Sequence, residues 1–264
     1  MSYAAGSNEN VILEVKGLTK YFGGLAAVHH IDFAVNVGEI LGIIGPNGAG
    51  KSTIFNLLVG YYQATSGNVI YQGKDITGTR PDNCTKMGIV RMTQANAIFK
   101  ELTVLENVLM AYHLSANIKF PGELFGLPAT RRRVRAIEDK AMELLKTLEL
   151  DRLYNSYPDK LPHGMQRFLG VAMAMAANPK VLLLDEPTAG LTAHEADLLV
   201  EETKKIRDMG VTVLFIEHNV RLIMGNSDRV LVLNFGEKIA EGKPEVIAQD
   251  ASVIEAYLGA EYVA

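Results

Sequence analysis

Cysteine is all but absent: Cys84 is the only one among 264 residues. No disulfide can form within the chain, and paired Cys or His ligands of the kind that hold structural zinc are missing, His29-His30 having no evident further ligands. The composition suits a reducing compartment. Long apolar runs are absent too. The longest, Leu169 to Ala177, is broken by Gly170 and falls well short of the roughly 20 residues that cross a bilayer, so at a membrane a partner would have to supply the span. Nor is there an excess of positive charge. The 26 Lys and Arg face 30 Asp and Glu, a formal net charge of −4, which gives no overall attraction to nucleic acid and counts against it as a partner. Met1 to Asn10 have neither the basic region nor the apolar stretch of a signal peptide and read as a frayed terminus.

What is present is the composition of an ordinary globular protein, 48% apolar and 21% charged. The length suits a single large α/β domain over 1–264 with an inserted subdomain. Val11 to Val15 and Ile31 to Val37 alternate as antiparallel strands around the turn-rich Tyr21-Phe22-Gly23-Gly24, forming a small N-terminal β layer. Leu41 to Ile44 is a short buried strand that runs into a glycine-rich loop, and Ser52 to Val59 reads as a helix. Val69 to Tyr71 and Gly88 to Arg91 are further strands. From about 95 to 164 helical periodicity takes over, with Val104, Val108 and Ala111, then Ile137, Ala141, Leu144, Leu145 and Leu148, on one face. This is an inserted α-helical subdomain between core segments 11–94 and 165–264. Within it, His113 to Arg133 carries loop chemistry at Pro121, Gly122, Gly126 and Pro128. Strands return at Val181 to Leu184, Val211 to Ile216 and Val230 to Leu233, each preceded by a helical stretch, as in a parallel sheet covered on both faces.

Gly45-Pro46-Asn47-Gly48-Ala49-Gly50-Lys51-Ser52, with Thr53 behind it, joins a strand to a helix, the setting in which backbone N–H groups converge on phosphates. Lys51 would bring a mobile charge to those phosphates and the Ser52 hydroxyl would ligate Mg²⁺. Asp185-Glu186 follows a buried strand, at the sheet edge where open α/β sheets bind ligands. Asp185 would reach the Mg²⁺ shell through water, and Glu186 would hold and polarise the attacking water. His218 lies just past another strand and should reach the same edge, in contact with the γ phosphate and the water. Gln94 could orient water and ligate Mg²⁺, and Phe22, or its neighbour Tyr21, could stack on a purine base. Taken singly, each has a plain alternative: core packing for the aromatics, capping or solvation for the two acids, a structural role for the histidine. The phosphate loop is what gives them a common purpose, the binding of a nucleoside triphosphate with Mg²⁺.

In chain order these residues resemble the ATP-binding cassette (ABC) family. Phe22 matches its base-stacking aromatic, Gly45 to Ser52 its phosphate loop, Gln94 its Q-loop and Leu161 to Met165 its signature. Leu184 to Glu186 match its magnesium and water segment, Ala189 to Thr192 its D-loop, and His218 its switch histidine. The resemblance implies a P-loop NTPase core with an N-terminal antiparallel β subdomain and a helical subdomain. It also implies ATP hydrolysis by a head-to-tail dimer with a second ATPase subunit, another copy or a paralogue. There Leu161 and Gly164 of one copy would close over ATP bound to the other. Two departures stand out. The usual Leu-Ser-Gly-Gly-Gln signature is Leu161-Pro162-His163-Gly164-Met165 here, without the serine, and the D-loop ends in Thr192 where Asp is usual. Gly164 N–H and the helix N-terminus beyond it remain available for phosphate charge.

Within the family the chain is most similar to the longer ATPase subunit of bacterial branched-chain amino acid importers. Tyr21 to Val28, Leu102 to Val108, Glu217 to Val220, Val253 to Gly259 and the extended His113 to Arg133 stretch carry that likeness. It implies multi-span membrane permease subunits as direct partners and a periplasmic solute-binding protein as an indirect one. The location implied is the cytoplasmic side of the bacterial inner membrane, peripheral through the permeases. A soluble ABC ATPase acting as an assembly factor or scaffold is the alternative, and a nucleotide-sensing module a third.

Overall fold

The computed structural model describes residues 10–92, 98–115 and 128–261, apart from the side chains of 114–133 and 258–261. Gln94, most of the His113 to Arg133 stretch and nearly all of the N-terminal segment fall outside them. The chain divides into two compact units, Met1–Arg91 with Lys180–Glu186 and Thr203–Ala264, and Met92–Pro179 with Pro187–Glu202.

In the first unit, β1 (Val11–Phe22) and β2 (Leu25–Asn36) form a long antiparallel pair. Both strands exceed the segments expected from alternation. Register shifts interrupt the pairing between Val11 and Leu13 and at three points from Val15 to Tyr21, and each bulge resets which residues face inward, so the sequence alternation is lost there. The strand β3 (Ile40–Ile44) is buried along its whole length and runs into the glycine-rich loop and α1 (Lys51–Leu58). Next come β4 (Ser66–Tyr71), the two-residue β5 (Lys74–Asp75), α2 (Pro81–Met87) and β6 (Ile89–Met92). Helix α2 is too short for periodicity to reveal. Its marks are local: Pro81 in the first turn, Asp82 beside it, and Gly88 past the end at φ 96°.

The second unit holds α3 (Val104–Ser115), α4 (Pro128–Thr147) and α5 (His163–Ala176), which pack on one another. Val104, Val108, Ala141, Leu145, Leu148, Leu169 and Ala172 form its buried faces. Thr103 and Glu106 cap α3 reciprocally: the Thr103 N–H and hydroxyl donate to the Glu106 carboxylate at 2.7 and 2.8 Å. The sequence pattern closed the helical insertion near 164, yet α5 packs with α3 and α4 along its apolar face and belongs to the same unit.

The chain returns through β7 (Val181–Asp185), α6 (Ala193–Asp208), β8 (Thr212–Ile216), α7 (Val220–Asn226), β9 (Arg229–Asn234), β10 (Glu237–Gly242), α8 (Pro244–Ile247) and α9 (Ala251–Glu261). The described residues form two sheets, one antiparallel in the order β2-β1-β4-β5 and one six-stranded in the order β10-β9-β3-β8-β7-β6. In the second sheet β3 pairs in parallel with β8 and β9, and β7 in parallel with β8, while β10 is antiparallel to β9. The fold is thus α/β, a parallel sheet flanked by helices with an antiparallel sheet beside it. One core of buried residues joins Leu13, Val15, Leu18 and Ile31 to Ile54, Phe55 and Leu58 of α1 and to Leu183, Leu214 and Ile216. Among the described residues no helix is long and apolar enough to cross a membrane.

Candidate nucleotide site

The register of the parallel strands determines what meets at the sheet edge. Asp185 lies opposite Ile216, and Ile43 on the other side of β8 lies opposite the same residue. Three chain segments therefore leave the sheet side by side: the glycine-rich loop after β3, Glu186 after β7, and Glu217-His218 after β8. Glu186 turns at once, with φ at 48°, and its N–H donates to the Ile216 carbonyl at 2.9 Å. A left-handed conformation at a non-glycine residue costs on the order of 1–3 kcal/mol and persists where surrounding structure enforces it. The result is a close pair, His218 Nε2 standing 2.6 Å from Glu186 Oε1.

The loop is held from behind. Gly50, at φ 99°, lies so close to β2 that a Cβ there would overlap the Ala27 carbonyl oxygen, and one at Gly45 would overlap that of Leu233. Gly236, in the turn between β9 and β10, donates its N–H to the Ala49 carbonyl at 3.2 Å. Asn47 to Thr53 together with Ala27, Glu186 and His218 line a cavity of about 270 Å³. Gly45 and Pro46 contribute differently: their carbonyls accept from Lys51 Nζ at 2.6 and 3.0 Å. Lys51 is only 5% exposed. Burial pushes its ammonium pKa down, and the carboxylates of Glu186 and then Asp185 pull it back up. Ser52 is exposed.

Asp185 is engaged from another side. Its Oδ2 accepts from Arg91 Nη2 on β6 at 2.5 Å, while Arg91 Nη1 donates to Asn56 Oδ1 on α1 at 2.6 Å. Sequence reading missed Arg91, which carried no signal beyond its place at the end of a short strand. Phe22 sits at the end of β1, 43% exposed. It forms a T-shaped pair with Tyr62, ring centroids 5.1 Å apart, and Lys20 Nζ lies 5.1 Å from its ring centre. In the second unit Pro162 stands at the N-cap of α5 in an extended conformation, and Leu161 just before it is buried. Gly164 lies in the first turn, where a Cβ would overlap Glu195 Oε1.

The residues present fit a nucleoside triphosphate and its cation. The cradle leaves no room for side chains at Gly45 and Gly50 and puts Lys51 beneath the loop, as phosphate oxygens require. A hydroxyl at Ser52 and a carboxylate at Asp185 are hard oxygen donors suited to Mg²⁺, with phosphates and water completing the shell. Loop, lysine, acid pair and histidine define a P-loop nucleotide-binding protein.

The comparisons narrow that class. The family described as "ABC transporter" matches residues 28–189, and the one described as "Branched-chain amino acid ATP-binding cassette transporter" matches residues 237–263. The chain belongs to the ABC transporter family. It is 43% identical over 249 residues to the high-affinity branched-chain amino acid transport ATP-binding protein BraF of Pseudomonas aeruginosa, covering 94% of this chain and 98% of that one. Among solved structures, the ADP conformation of an ATP-binding cassette of an ABC transporter superposes with a TM-score of 0.82 at 33% identity, covering 94% and 99% of the two chains. A dimeric bacterial ABC transporter cassette superposes at 0.73 with 28% identity, covering 88% and 99%.

Proposed function

We propose that this chain is the ATP-binding and ATP-hydrolysing subunit of an ABC importer, and that it energises uptake of branched-chain amino acids or a related small polar solute. The observation that carries the reading is the 2.6 Å contact of His218 with Glu186 at the wall of the cavity that Lys51 and Ser52 also line. In this reading the loop N–H groups and Lys51 bind the β and γ phosphates. Lys51 exchanges its own loop carbonyls for phosphate oxygens as the nucleotide enters. Glu186 orients the attacking water and accepts its proton, and His218 holds Glu186 in place and contacts the γ phosphate. Mg²⁺, when bound, neutralises charge on the phosphates, and Ser52, Asp185 and Gln94 are the residues that would hold it. Phe22 would stack on the adenine.

The dimeric relative supports assembly with a second ATPase subunit, self or paralogue, in which Leu161 and Gly164 face the partner's nucleotide. Multi-span permease subunits would supply the membrane passage and a periplasmic binding protein the solute, and this chain would then work on the cytoplasmic side of the inner membrane. The test is co-purification with its permeases and reconstitution in vesicles. ATP-dependent uptake of a branched-chain amino acid that disappears with Lys51→Ala is expected. Hydrolysis without permease association would overturn the transport reading and favour an assembly role.

A further inference from the structure

Arg91 is poorly explained as a stabilising group. Its side chain is 10% exposed and its partner Asp185 13%. Its Nε is buried and has no partner among the described residues. Taking a guanidinium and a carboxylate out of water costs about as much as their attraction returns, so a buried pair of this kind is weak evidence for stability. Its geometry is more informative. The planar fork spends one nitrogen on Asn56 Oδ1 of α1 and the other on Asp185 Oδ2 of β7, with the guanidinium carbon 5.9 Å from the Phe55 ring centre. Asn56 is four residues beyond Ser52, on the same face of α1. A single rigid group on β6 thus ties the helix that carries Ser52 to the strand end that carries Asp185. These are the two described residues suited to Mg²⁺.

We infer that Arg91 is a positioning residue for the magnesium site. By engaging Oδ2 it fixes the Asp185 carboxylate and leaves it a single oxygen to offer, and by engaging Asn56 it sets the spacing of that oxygen from Ser52. Lysine could carry the charge but not the fork, which is why arginine stands here. Groups that orient metal ligands from behind commonly change metal affinity 10- to 100-fold when replaced.

The inference rests on the nucleotide-binding reading, and its test separates the two. Binding of a fluorescent ATP analogue to the full-length protein is titrated with Mg²⁺ and repeated in EDTA. No binding by the unmodified protein under either condition would sink the nucleotide reading itself. Arg91→Lys, which keeps the charge and removes the fork, is expected to raise the half-saturating Mg²⁺ concentration by roughly 10-fold while metal-free nucleotide affinity stays within about twofold. Asn56→Ala, which keeps both Arg91 and Asp185, should shift it in the same direction by a smaller factor. An unchanged Mg²⁺ requirement in a folded Arg91→Lys protein, or equal losses with and without Mg²⁺, would overturn the proposal. If Arg91→Lys does not fold, Asn56→Ala decides on the same criteria.

Discussion

His218 Nε2 and Glu186 Oε1 lie 2.6 Å apart at the ends of adjacent parallel strands, His218 two residues beyond β8 and Glu186 one beyond β7. A carboxylate that must hold water needs its orientation fixed before the water arrives. In the proposed reaction the imidazole does that through one carboxylate oxygen. Glu186→Gln keeps the shape and loses the basic charge, so steady-state phosphate release should fall by about 10²–10⁴-fold, the usual range for loss of a positioned base, with ATP binding retained. His218→Ala should lower the rate less, because Glu186 remains. Hydrolysis at the unmodified rate in Glu186→Gln would remove Glu186 from the chemistry.

Two glycines of the phosphate loop make a controlled comparison. Gly48 and Gly50 both have positive φ, 79° and 99°. A Cβ at Gly48 would meet nothing within 4 Å, whereas one at Gly50 would overlap the Ala27 carbonyl. Gly48→Ala therefore bears backbone strain alone, and Gly50→Ala also pushes the loop off β2. Equilibrium nucleotide binding should weaken in both, with the Gly50 variant at least ~10-fold weaker than the Gly48 variant, since 1.4 kcal/mol of added strain within the usual range suffices for that.

The elements most legible in the sequence are those whose signals are local. Leu41 to Ile44 leading into Gly45 gave β3 and the loop, and Asp185-Glu186 after Val181 to Leu184 gave the acid pair, because a short apolar run followed by a polar break needs no tertiary context. The length of β1 and β2 was not legible, since bulges reset the alternation several times. Nor was the buttressing of Gly50 by Ala27 or of Asp185 by Arg91. Those contacts join residues far apart in the chain, and their partners are chosen by strand order rather than by pattern.

Tyr257, on α9 within the C-terminal segment matched by the second family, gives a pH prediction. Burial raises its phenol from 10.0 to about 12, and the backbone of Gly45 in the phosphate loop offsets part of that rise. The folded value is above the unfolded one, so the folded state prefers the neutral phenol. The corresponding stability is complete below about pH 10 and is lost as pH rises through the folded value near 12. Spectrophotometric titration should show a late phenolate step that Tyr257→Phe lacks. Unfolding midpoints of that variant should also fall less steeply over the same window.

Thr192 stands where the family usually has Asp, and its contacts say why a hydroxyl suits this chain. The Thr192 N–H and hydroxyl both donate to Glu195 Oε2, at 2.9 and 2.8 Å, and Glu195 N–H returns to the Thr192 oxygen at 3.3 Å, a reciprocal cap on α6. The other Glu195 oxygen lies against Gly164 of the altered signature. The Thr192 backbone bond, followed by its hydroxyl, holds the Glu195 carboxyl below its ordinary range, with His163 and Gly164 adding to the effect. The two departures from the family pattern are thus joined through one carboxylate. Asp at 192 could not donate to Glu195 and would set a second negative charge beside it. Thr192→Ser should therefore leave Tm nearly unchanged. Thr192→Ala and Thr192→Asp should each lower it by roughly 2 to 4 °C, as loss of a helix cap does in a chain of this size. A Thr192→Asp protein as stable as the Ser variant would mean that the hydroxyl donor is not what this position requires.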